Sequence, residues 1–136
     1  MLVEKDIKRI LDQLGEKAAI KIAIDGSDID IHVLEGATKL FLTTPVYSGG
    51  NYIPSSVRRC VSHKTPFPVS NSSLQTFLTI DEQHFQINLN YLGRAQPLAP
   101  IQLKEILEEF GWLAEKWRDY LDENDKNDLV YIRVPR

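Results

Sequence analysis

The chain has 136 residues, a net charge of −3 and a pI near 5.6. Its length suits a single domain, and 43% apolar with 26% charged residues is ordinary globular composition, which excludes a disordered chain. The acidic balance, with no stripe of Lys and Arg, excludes binding driven by nucleic-acid phosphates or by anionic lipid. The single cysteine, Cys60, makes no internal disulfide and fits a reducing compartment. No apolar run is long enough to span a bilayer, so no membrane partner is expected. The opening MLVEKDIKRILDQLGEK is charged at every turn and lacks the apolar core of a signal peptide, so a cytoplasmic location is expected.

Val3, Ile7, Ile10, Leu11 and Leu14 recur at spacings of three and four, which predicts a helix over 2–16 with Gly15 as its stop. Ile20, Ile22 and Ile24 alternate with polar or small neighbours as a first strand. Asp25-Gly26-Ser27-Asp28 turns the chain, and Ile29, Ile31 and Val33 alternate with Asp28, Asp30 and His32 in a second strand. After Glu35-Gly36, Thr38 to Thr43 predicts a third strand. Residues 44–52 predict a loop by their Gly and Pro content. Pro54 suits the first turn of a short helix whose small apolar face is Val57, Cys60 and Val61. The two prolines of KTPFPVSNSS predict an irregular stretch over 64–73. Leu74, Thr76, Leu78 and Ile80, then Phe85, Ile87, Leu89 and Tyr91, alternate as a hairpin turning at Asp81-Glu82-Gln83. From Pro100 to about Tyr120, a stripe of Leu103, Ile106, Leu107, Phe110, Leu113, Ala114, Trp117 and Leu121 predicts a long amphipathic helix. DENDKND follows as a solvated linker, and the terminal VYIRV as an added strand or a loose end. The expectation is an α+β fold, an antiparallel sheet packed against helices, with residues 1–121 as the domain and 122–136 as linker and tail.

Catalytic and metal motifs are thin. Ser48-Gly49-Gly50 lacks the context of a nucleophile elbow or a phosphate loop. Cys60 and His63 stand three apart without a second pair to complete a zinc site. Asp25, Asp28 and Asp30 crowd a turn and a strand rather than a calcium loop. Trp112 differs, because it falls opposite the apolar stripe of the last helix, with Ile101 near the same side. An exposed Trp of that kind is enriched at interfaces, the alternative being that the terminal VYIRV or the 64–73 stretch covers it.

The order of elements, with FLTIDEQHFQINLNYLG followed by LKEILEEFGWLAEKWRDYL, resembles the class I type III secretion chaperones, the Tir-chaperone-like family. Leu107, Phe110, Ala114, Trp117 and Leu121 are similar to that family's closing amphipathic helix with its late Trp. The chain departs from the family at 53–73, where the family's middle helix is longer. The resemblance implies a homodimer without cofactor or catalysis, holding an extended segment of a secreted effector protein before export. By position it implies Ile7, Ile10, Ile22, Ile31 and Leu40 as partner-binding residues, to which the helical position of Trp112 adds that residue. It implies Ile53, Val57, Cys60 and Val61 as the dimer interface. The competing readings are a chaperone-like α+β adaptor in regulation or assembly, and a small ligand-binding domain or enzyme with a pocket around Tyr52, Cys60 and His63.

Overall fold

The computed structural model describes residues 3–24, 26–36, 38–62, 74–95 and 99–133, without the side chains of 62 and 127–133. The first helix, α1, spans Glu4–Glu16. Asp6 opens it by accepting the Val3 N–H at 3.2 Å, which satisfies one donor that the helix leaves unpaired. Ile7 and Ile10 face the core, and Leu11 and Leu14 flank them. Gly15 lies within the helix rather than ending it, and Lys17 leaves in extended conformation.

Strands β1 (Ala19–Ile24), β2 (Ser27–Leu34) and β3 (Lys39–Ser48) form a meander. Ile24 pairs with Ser27, so the first hairpin closes on two residues, with Gly26 at φ +81. The expected end of β3 at Thr43 is corrected: the strand runs five residues further, pairing with β5 (Gln86–Arg94) as far as Ser48. Pro45, which has no N–H to give, is accommodated where the register shifts between Pro45 and Tyr47. Strand β4 spans Thr76–Asp81. The turn to β5, expected at Asp81-Glu82-Gln83, lies at 82–85 instead. Asp81 pairs with Gln86, and Phe85 sits in the loop at φ 53 rather than in the strand. His84 belongs to the same loop, where the Asp81 carboxylate accepts from the Gln83 and His84 N–H groups. The sheet order is β1-β2-β3-β5-β4, antiparallel throughout.

Helix α2 covers Ser55–Arg58 and passes into a 3-10 turn at Arg59–Ser62. Arg58 ties it to the β4–β5 loop through a forked pair with Glu82 at 2.9 and 3.1 Å. The irregular stretch expected over 64–73 lies outside the described residues.

Helix α3 spans Pro100–Arg133. At 1.5 Å per residue it is about 50 Å long. Pro100 takes its first position, and Gln102 accepts the Ala99 N–H at 2.9 Å. The linker expected at 122–128, and the strand or loose end expected at VYIRV, are corrected as far as Arg133: the helix continues without a break. Leu103, Leu107, Phe110, Leu113, Ala114, Trp117 and Leu121 are buried as the stripe requires. Arg118 donates to the Ser27 hydroxyl at the β1–β2 hairpin, and the Tyr47 hydroxyl donates to Asp125 at 3.2 Å. These two bonds fasten the helix at separate points on the sheet.

Candidate partner-binding surface

Strand alternation gives the sheet two faces of different character. The inner face presents Ile24, Ile29, Ile31, Leu40, Leu42, Ile87 and Leu89 to the buried residues of all three helices, in one core cluster. Among the described residues, no helix covers the outer face. Three of its cross-strand rows carry the large apolar side chains. Leu34, Lys39 and Arg94 form the first; His32, Phe41 and Leu92 the second; Asp30, Thr43, Asn90 and Phe77 the third. Leu34, Leu92 and Phe77 are 41%, 45% and 46% exposed, high for large apolar side chains on a sheet. Phe41 is half-buried, with its ring centroid 5.9 Å from that of His32.

Beneath this apolar band lies a polar lock. Asn90 is 3% exposed although its row faces outward. Its carbonyl accepts from Thr43 Oγ1 at 2.7 Å, and its amide donates to Thr79 Oγ1 at 2.9 Å and to the Phe77 carbonyl at 3.3 Å. A buried amide satisfied on both sides fixes strand register.

Strands β1 and β4 end the sheet. Each leaves one row of backbone donors and acceptors without a strand partner among the described residues. That is the geometry to which an extended segment adds. Two further apolar features lie on the helical side. The starts of α1 and α3 enclose a recess of about 390 Å³ lined by Glu4, Ile7, Pro100, Ile101 and Lys104. Trp112 is 38% exposed, with the Lys116 ammonium 5.5 Å from its ring centre.

The sequence-derived residues are distributed unevenly over these features. Ile7, Ile10, Ile31 and Leu40 are buried in the chain's own core, so in this structure they pack rather than display. Ile22 is half-buried on the inner side of the β1 edge, and Trp112 is exposed as its helical position predicts. Of the dimer candidates, Ile53, Val57 and Cys60 are buried and Val61 is half-buried. The Cys60 thiol lies 3.3 Å from the Ser56 carbonyl, and burial pushes its pKa up. It is a neutral packing group and a poor nucleophile. Of the alternative pocket's residues, Tyr52 is exposed, Cys60 is buried, and His63 lies outside the described residues. Among the described residues, no three His, Cys, Asp or Glu side chains converge as metal ligands.

Sequence reasoning missed Leu34, Phe41, Phe77 and Leu92. The signal was present: each is apolar at a position whose alternation assigns it to the wet side. Phe41 stands between Leu40 and Leu42, and Leu92 continues the register of Asn88 and Asn90.

Neither a family model nor a curated protein matches the chain. Solved structures do. A chain of the ExsC–ExsE complex superposes with TM-score 0.60 at 15% identity, covering 89% of this chain and 97% of that one. A chain of the HopA1–SchA chaperone–effector complex gives 0.59 at 17%, covering 84% and 88%. The fold is that of the class I type III secretion chaperones. The Yersinia pestis type III secretion chaperone SycH, in complex with a fragment of YscM2, gives 0.52 at 13%, covering 85% and 99%. At such identities the likeness is one of fold, and this chaperone fold spans almost the full length of the structures it matches. No helix among the described residues is long and apolar enough to cross a membrane.

Proposed function

We propose that the chain is a non-catalytic, cytoplasmic chaperone that binds an extended segment of a secreted effector before type III export, and that it acts as a homodimer. The observation that carries this reading is the combination of the chaperone fold with an outer sheet face that exposes Leu34, Phe77 and Leu92 between two strand edges unpaired among the described residues. An unfolded client loses chain entropy on binding, so it needs a broad surface with main-chain partners as well as side-chain sites. The strand edges supply the first and the exposed Leu34, Leu92, Phe77 and Trp112 supply the second. Ile22, beside the β1 edge, is in reach of an added strand. Val61 is the dimer candidate left partly open.

Light scattering on the purified protein, with identification of what co-purifies from its native lysate, tests both parts. The expected result is a dimer that retains the N-terminal region of one secreted protein. A monomer that retains no secreted protein in a strain with active export would overturn the reading.

A further inference from the structure

The first outer-face row contains an arrangement that folding does not call for. Lys39 and Arg94 are direct cross-strand partners on β3 and β5. Like charges placed opposite one another in a sheet destabilise it. Lys39 has a carboxylate, Glu35, at 3.6 Å, but both groups are largely exposed, so the pair binds weakly. Among the described residues, Arg94 has no carboxylate at ion-pair distance. The two cations border a recess of about 490 Å³ lined by Thr38, Lys39, Leu92, Gly93 and Arg94. Leu34 completes the row, and the half-exposed Leu92 and Phe41 make the next.

The geometry points to this corner as a specific seat for a client segment that carries a carboxylate between apolar side chains. This deepens the chaperone reading and rests on it. The carboxylate lies between Lys39 and Arg94, and the flanking apolar side chains lie on Leu34 and Leu92. Charge complementarity selects this occupant: on a chain of net charge −3, the two cross-strand cations give this corner a local positive charge that attracts a carboxylate. Two cations are too few for a nucleic-acid backbone. An Arg guanidinium beside a Lys is suited to bind one carboxylate from two directions.

The test uses two short labelled peptides with Leu, Glu, Leu or Leu, Gln, Leu at alternate positions of a Ser background, titrated into isotopically labelled full-length protein. The expected result is that the Glu peptide moves the amide signals of residues 39, 41, 92 and 94 and binds about tenfold more tightly than the Gln peptide. That preference is lost in the Lys39→Ala/Arg94→Ala double variant, whose circular dichroism stays that of the parent. It also shrinks as ionic strength rises from about 0.05 to about 0.5 M. Equal binding of the two peptides, no binding, or shifts confined to the α1–α3 recess would overturn the assignment. So would concentration-dependent shifts of the same amides without peptide, which would make this corner a contact between two copies. A wild-type protein that still retains its secreted client while failing the peptide test leaves the chaperone reading standing. Failure to retain any client removes that reading independently.

Discussion

At the scale of single residues, two glycines show how differently the same atom is tolerated. A Cβ at Gly49 would collide with the Tyr52 carbonyl, which is backbone and cannot swing aside. A Cβ at Gly93 would meet the hydroxyl end of the Tyr91 ring, which can. Gly49→Ala is therefore expected to cost about 2–3 kcal/mol of unfolding free energy, and Gly93→Ala about 1 kcal/mol or less. Urea denaturation of both variants checks the order, and equal losses would contradict it. Tyr47 gives a pH-dependent case. Burial holds its proton on more tightly than in a free tyrosine, and the Asp125 carboxylate adds to that. The unfolded chain ionises this group near pH ~10, the folded chain higher, so its contribution is complete below that pH and is lost as pH rises above it. The stability advantage of wild type over Tyr47→Phe should thus shrink between about pH 8 and about pH 11. Parallel unfolding midpoints at the two values would show that the hydroxyl is not coupled to folding.

At the scale of elements, the far half of α3 carries the sharpest departure from what the sequence suggests. From Pro100 to Leu121 the apolar stripe is unmistakable, but DENDKND has no apolar period and reads as solvent-borne chain. The helix persists because extension from an existing helix is far less costly than starting one. One local and one tertiary bond help it: Asn124 donates to the Tyr120 carbonyl at 2.8 Å, and Asp125 receives the Tyr47 hydroxyl from the sheet. Asn124→Pro should cost about 3 kcal/mol in the helix, with lower ellipticity, and almost nothing in a linker. Strand β3 was hidden for a related reason. Pro45 and the Gly49-Gly50 pair mark a loop locally, yet β5 offers partners along the whole segment and a register shift absorbs the proline. By contrast, α1, β1, β2 and the β4–β5 pairing follow from periodicity, because each has one buried and one exposed side. The candidate partner-binding residues were less legible. Periodicity identifies residues that share a side, but not whether another layer covers it. Ile7, Ile10, Ile31 and Leu40 lie on the covered side, while Phe77 and Leu92 lie on the open one.

At the scale of the whole molecule, a single core cluster joins the sheet's inner face to every helix. Opening the molecule therefore means breaking one cooperative unit, and protection should be graded by position in the sheet. Amide hydrogen exchange is expected to be slowest in β2, β3 and β5, which have a strand on each side, and faster in β1 and β4. Equal protection of all five strands in the isolated chain would show that the edges are already covered, by a second copy or by segments outside the described residues. Cys60 offers a chemical view of the same event. The only thiol in the chain is enclosed by that core, so an alkylating reagent reaches it through molecules that have opened. The rate of its modification, compared with that of a free thiol, is then a built-in clock for how often the protein unlocks. A bound client that tightened the fold would slow that clock without touching the sulfur.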